Sequence, residues 1–428
     1  METNQQKRTP LLSPMLQVFM VAMIFANVAG SMYGPLLPLY LKSLGANVIQ
    51  IGLFFTIAQI IPLVLQILGG WISDSLGRLK SVAIGSVAGL LSYAGLILAP
   101  TWQWVLSGEA LGAITRSLIG PSFGAFIAEE SAEENRARVY GLTESIFTIV
   151  TIVGPPLGGF MVDKFGFKVM LITAAAIYSV ATVMRVLMAK RAAAHPQAKR
   201  NGPLTMKSLS TNLGAMFGLL MAGGVITWVL ITDGIRDISF SFSGSLLPVY
   251  LEEIGSLSAQ QIGWLASIMG VCSMLTNFPA GWLADKKGER LAIILGFLLE
   301  AAALFIFIKA ETFWGFAATW GIFGIGTGLM APAYQSLLSK VLPDKLRGTG
   351  FGLIHSSLGL FSLPAPAIGA SIYQNISPST PFMITAWASL LAIIPVWLKF
   401  KASDKDQKAT HIALEKINHY ESDLSQAN

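Results

Sequence analysis

Long apolar runs, each broken by a short stretch of charge, glycine or proline, recur along the whole chain. Read as helices, they predict twelve spans. The first six lie at about 14–41, 49–73, 80–100, 103–128, 138–163 and 167–190. The second six lie at about 214–251, 260–284, 290–309, 312–339, 348–373 and 379–400. An α-helix rising 1.5 Å per residue needs about 20 apolar residues to cross about 30 Å of hydrocarbon. Val82–Pro100 runs without a charged side chain, and Ile293–Ile308 carries only Glu300. Lys7 and Arg8 precede the first run, but Met15–Leu41 is longer than the apolar core of about 7–15 residues in a signal peptide, so it reads as an uncleaved first span.

The polar breaks orient the spans. With the N-terminus cytoplasmic, 22 of the 29 Lys and Arg residues fall on the cytoplasmic side. Four (Lys42, Lys164, Lys168, Lys309) fall on the other, and Arg116, Arg185 and Arg236 lie within spans. That bias follows the positive-inside rule. The expected layout is a cytoplasmic tail over 1–13, a six-helix bundle over 14–190, a cytoplasmic linker over 191–213, a second bundle over 214–400 and a cytoplasmic tail over 401–428. The protein is expected to be multi-pass in the inner membrane, with both termini cytoplasmic.

Composition agrees: of 428 residues 53% are hydrophobic and 12% charged, against about 25% charged in soluble proteins. Mean hydropathy is +0.62, so lipid must be the solvent for most of the chain. A net charge of +6 and a pI near 9.3 raise the question of a nucleic-acid partner, but the loop bias accounts for the charge without one. Cys272 is the single cysteine, which excludes an internal disulfide and suits packing in an apolar helix.

The chain repeats itself at an offset of 211 residues. Gly70-Trp71-Ile72-Ser73-Asp74 falls on Gly281-Trp282-Leu283-Ala284-Asp285, and Gly77 on Gly288. Gly52 falls on Gly263, Pro121 on Pro332, Pro155 on Pro366 and Gly158 on Gly369. Two parallel six-helix repeats predict two bundles rocking about a site between them, the logic of alternating access.

The loop Gly70-x-Ile72-Ser73-Asp74-x-x-Gly77-Arg78-x-Lys80, with its copy Gly281-x-Leu283-Ala284-Asp285-x-x-Gly288-Glu289-Arg290, resembles the signature of the major facilitator superfamily. The resemblance covers Met15 to Phe400. It implies a gated solute carrier in which Asp74 and Arg78 lock the cytoplasmic ends of the bundles. Independently, an ionised carboxylate at a helix end can accept from the N–H groups of a neighbouring helix N-terminus. In the fifth span, Gly154-Pro155-Pro156-Leu157-Gly158-Gly159 is similar to the glycine–proline motif of the drug:proton antiporter branch, though Val150 stands where a glycine is usual. Two further departures are Asn27, where that branch often has an acid, and Arg116, deeper in the fourth span than the usual arginine, which would fall near Gly108.

A charge in mid-membrane costs about 2.5–3.5 kcal/mol on insertion scales, so each is a candidate for function. Asp233, Arg236 and Asp237 share one face of the seventh span, where Asp233 pairs with Arg236 and Asp237 is left as a spare carboxylate for a proton. Arg116 either binds an anionic substrate group or pairs with an acid of the first, fifth or seventh span. Glu144 and His355 are related by the repeat and suit a proton relay. Asn27, Tyr33, Asn277, Gln335 and Gln59 are further cavity candidates. Glu300, on a span the resemblance makes peripheral, reads as snorkelling or a contact.

The reading that follows is an all-α, twelve-span secondary transporter. Its partners are the lipid bilayer, a small-molecule substrate and protons. It is expected to be a monomer without cofactor or metal. Its function is proton-coupled export of small apolar or amphipathic compounds. The competing reading is proton-coupled import of an organic anion through Arg116 and Arg236. A membrane enzyme or receptor is disfavoured because no zinc-ligand spacing, nucleophile elbow or phosphate loop occurs.

Overall fold

The computed structural model describes residues 12–131, 135–193, 224–341 and 361–400. They form an all-α membrane protein. The helices are α1 (Pro14–Tyr33), α2 (Leu37–Ser43), α3 (Val48–Leu76), α4 (Arg78–Leu98), α5 (Trp102–Glu130), α6 (Arg136–Ala193) and α7 (Gly224–Gly244). There follow α8 (Leu247–Glu253), α9 (Ala259–Lys287), α10 (Glu289–Phe307), α11 (Phe313–Val341), α12 (Ala365–Asn375) and α13 (Thr380–Lys399). Among the described residues, seven helical stretches are long and apolar enough to cross a membrane. Asp233, Arg236 and Asp237 keep α7 out of that set, and α12 is described over only 11 residues.

Three boundaries differ from the sequence reading. The first span is interrupted by a 3-10 turn at Gly34–Leu36, because Pro35 and Pro38 bring no backbone N–H to the ladder. The fifth and sixth spans run together as the 58-residue α6, which turns at Gly166 with φ of 82°. The seventh is described from Gly224 and breaks before α8. The segment 194–223, which holds most of the linker, lies outside the described residues, as do the 401–428 tail and the start of the eleventh span with His355.

The sequence repeat is carried into backbone detail. Asn47 and Gln50 exchange hydrogen bonds of 2.9 Å each at the start of α3. Ser258 and Gln261, each 211 residues on, form the capping box of α9. Gly77 and Gly288 both adopt φ near 90°, which turns the chain sharply into α4 and α10, a conformation that a Cβ would strain.

The two halves meet along two pseudo-symmetric seams, α3 against α12 and α6 against α9. Gly52 lets α3 close onto Pro366 and Ala370, and Gly263 lets α9 close onto Pro155 and Pro156. Cross-half hydrogen bonds among the described residues include Ala367 N to Thr56 Oγ1 at 3.2 Å and Ser267 Oγ to the Ile152 carbonyl. Toward the end away from the basic loops, Lys42 bridges to Glu252 and Glu253 at 2.6 and 2.9 Å. Core packing follows the same polarity. At that end one core holds residues of both halves, including Leu41, Phe54, Leu246, Tyr250 and Phe307. At the basic end the cores that the described residues form are separate: Leu16, Phe19, Val82 and Ile127 in the first half, and Ile293, Phe297, Leu337 and Val396 in the second. Beyond Ile152 and Gly270, toward the basic end, Leu275 and Phe278 of α9 stand 66% and 90% exposed.

Candidate functional site

The acid-rich face of α7 opens onto a cavity of about 490 Å³ within the second half. Asp233, Arg236, Asp237 and Phe240 line it from α7, Glu300 from α10, Phe323, Tyr334 and Gln335 from α11, Met269 from α9 and Thr385 from α13. Arg236 Nη2 lies 3.0 Å from Asp237 Oδ1, and Nη1 lies 3.9 Å from Asp233 Oδ1. The guanidinium also sits over the Tyr334 ring, 5.9 Å from its centroid, the geometry of a cation–π contact. The tighter pairing is therefore with Asp237, not with Asp233 as the i, i+3 spacing suggested. The neighbouring residue bends back to the guanidinium, while Asp233 is 8% exposed and turned toward Tyr334.

Of the two readings of Glu300, snorkelling or a contact, the structure has the contact, and it is buried. It is 6% exposed and lines the same cavity. Gly326 of α11 makes room for it, since a Cβ there would meet Glu300 Cγ at 3.3 Å. The cavity thus gathers three carboxylates and one guanidinium among its described lining residues. The signal for Glu300 was present in the sequence as a lone acid in an apolar run; its peripheral span concealed it.

Arg116 is corrected. Its Nη2 lies 3.3 Å from Glu109 Oε2, an acid of its own helix rather than of the first, fifth or seventh span. Helical side chains lean toward the helix N-terminus, so an extended arginine reaches back two turns. Gly112 keeps the lane open, as a Cβ there would lie 3.3 Å from Arg116 Nη1. The Tyr33 hydroxyl donates to Glu109 Oε1 at 3.4 Å. Arg185, 1% exposed, donates to Ser86 Oγ at 3.0 Å and packs on Met23.

The remaining candidates are scattered. Asn27 donates to the Met23 carbonyl at 2.8 Å on its own helix. Glu144 is exposed on the face of α6 that, by helical spacing with Thr148 and Pro155, meets α9 farther along. Asn277 is exposed on the matching face of α9, in line with Gly270. Gly70 and Asp74 lie where α3 side chains fall outside the described residues. Arg78 Nε reaches Glu129 of α5 at 3.4 Å, within its own half. In the second copy no described residue crowds Gly281, Asp285 is exposed, and Arg290 donates to the Trp397 carbonyl at 3.0 Å. In the glycine–proline motif of the fifth span, Gly154 and Gly158 clear space for Ser31 and Met32 of α1. Gly159 does so for the first turn of α9, and Pro155 meets Gly263. Among the described residues no group of three or more His, Cys, Asp or Glu side chains is placed to hold a metal ion.

The model of the Major Facilitator Superfamily matches residues 19–232 and again 229–419, once for each half. The chain belongs to the major facilitator superfamily. It is a transporter, not an enzyme. Relatives within the superfamily include the multi-drug resistance efflux pump PmrA homolog of Lactococcus lactis, 24% identical over 89% of this chain and 93% of the relative. The multidrug resistance protein MdtG of Citrobacter koseri is 23% identical over 89% and 94%. In fold, the chain superposes on a bacterial homologue of the iron transporter ferroportin in the inward-facing state with a TM-score of 0.72, at 14% identity, covering 89% of this chain and 97% of that one.

Proposed function

We propose that this transporter works by alternating access and exports small apolar or amphipathic compounds in exchange for protons. The observation that carries the reading is the cavity of α7, α10 and α11. Its walls pair aromatic and apolar side chains (Phe240, Phe323, Met269) with more carboxylates than guanidinium can neutralise. Such a site suits neutral or cationic amphipaths, and its spare carboxyl suits a proton. The relatives named as multidrug efflux proteins support the same direction. Among the described residues, a core shared by both halves at one end and separate cores at the basic end support a rocking of halves. Organic-anion import is less well supported, because Arg116 and Arg236 each already hold a protein carboxylate.

The charge bias supports a cytoplasmic basic end, with both termini in the cytoplasm and the protein in the inner membrane. In a Cys272→Ser background, single cysteines at Ser256 and Lys286, at opposite ends of α9, are expected to label oppositely with an impermeant reagent applied outside cells. Labelling of position 286 would reverse the orientation. For transport, everted vesicles with an acid lumen are expected to accumulate a fluorescent amphipathic dye until a protonophore is added. Accumulation indifferent to the pH gradient overturns proton coupling. Uptake of organic acids in place of the dye favours the importer.

A further inference from the structure

The first half contains its loop signature twice, once at each end. At an offset of 89 residues, Gly69-Gly70-Trp71 falls on Gly158-Gly159-Phe160, Asp74 on Asp163, Leu76 on Phe165 and Gly77 on Gly166. Both terminal glycines turn the chain with positive φ, 89° at Gly77 and 82° at Gly166. The second copy lies at the outer end of the fifth span, away from the basic loops.

There the aspartate has a definite seat. Asp163 Oδ1 accepts from Ala259 N and Oδ2 from Gln260 N, each at 3.0 Å, across the seam between the halves. These two N–H groups are those that the capping box of α9 leaves over, since Ser258 Oγ takes the N–H of Gln261 and Gln261 Oε1 takes that of Ser258. The carboxylate thus completes the helix N-terminus with two charge-assisted hydrogen bonds along its dipole. Gly159 allows the approach, because a Cβ there would overlap the Ala259 carbonyl. Beside it, Lys42 bridges Glu252 and Glu253, and Glu253 also accepts from Tyr373 at 3.1 Å. The position 211 residues after Asp163 is Gln374, so only one seam carries the acid.

We propose that Asp163, on the N-terminus of α9, is a positioning residue for transport that latches the outer face shut, with segment 158–166 acting as an outer counterpart of the loop at 70–77. The proposal rests on the alternating-access reading. While the latch is made, the halves stay joined at the outer end and open to the cytoplasm. Its release lets α6 and α9 part outside as their inner ends close.

The test uses the full-length transporter in lipid, with Cys272→Ser and spin-label pairs at exposed sites. Phe165 with Trp314 reports the outer end, and Ser145 with Phe278 the inner end. Wild type is expected to show two anticorrelated distance populations whose ratio responds to dye and to pH. Asp163→Ala shifts that ratio toward the outward-open form by at least about tenfold, as expected for losing hydrogen bonds to a charged group. Asp163→Asn, which keeps one acceptor, shifts it less. Lys42→Gln, which leaves the helix cap intact, shifts it in the same direction. Dye affinity stays unchanged in all three while turnover falls. Two populations in wild type with an unaltered ratio in Asp163→Ala and Lys42→Gln overturn the latch alone. One unresponsive population in wild type and variants overturns alternating access, and the latch with it.

Discussion

Arg236→Leu is expected to abolish transport and to destabilise the transporter by about 3 kcal/mol in denaturant titration. Among the described lining residues Arg236 is the one cation beside Asp233, Asp237 and Glu300. Removing it leaves three carboxylates around one buried cavity. Breaking a buried ion pair from one side costs about 3–5 kcal/mol, since the partner keeps its desolvation penalty and loses its attraction. The lower end applies because 29% of the arginine side chain remains exposed. Adding Asp237→Asn removes the closest partner and is expected to restore most of the stability but none of the transport. Arg236→Lys keeps the charge but loses the fork that bonds Asp237 through both Nε and Nη2, at 3.3 and 3.0 Å, so it falls between. Wild-type stability in Arg236→Leu would mean that the three acids do not depend on the guanidinium.

Asp237→Asn is expected to cut pH-driven dye accumulation more than tenfold while leaving dye-for-dye exchange near wild type. Exchange needs only that the loaded site face both sides in turn, whereas accumulation needs a carboxyl that takes a proton on one side and yields it on the other. One guanidinium balances one carboxylate, so among the described lining residues the cavity holds two acids in excess of its cation. Glu300→Gln tests whether the buried member of the cluster shares the role, and Glu144→Gln tests the acid on the exposed face of α6. Wild-type accumulation in all three variants would move coupling outside these residues. Loss of both accumulation and exchange in Asp237→Asn would instead assign Asp237 to substrate binding.

Some of this architecture was legible from residue order alone. The spans could be read because hydrocarbon demands about 20 apolar residues per crossing. The two halves could be read because a constant offset of 211 residues aligns glycines, prolines and Asp74 with Asp285. The grouping of Asp233, Arg236 and Asp237 followed from helical spacing within one element. Relations between elements were not readable in the same way. In a soluble helix one apolar stripe announces the buried face, but in a membrane the lipid-facing and protein-facing sides are both apolar, so hydropathy does not fix how a span is rotated. Only packing decided that Glu300 of α10 turns inward past Gly326 rather than out to the headgroups. Only the reach of a side chain along its own helix decided that Arg116 holds Glu109. The seat of Asp163 on α9 required both: its motif was written in the sequence, but the two N–H groups it binds lie across a seam that exists only when the halves are folded together.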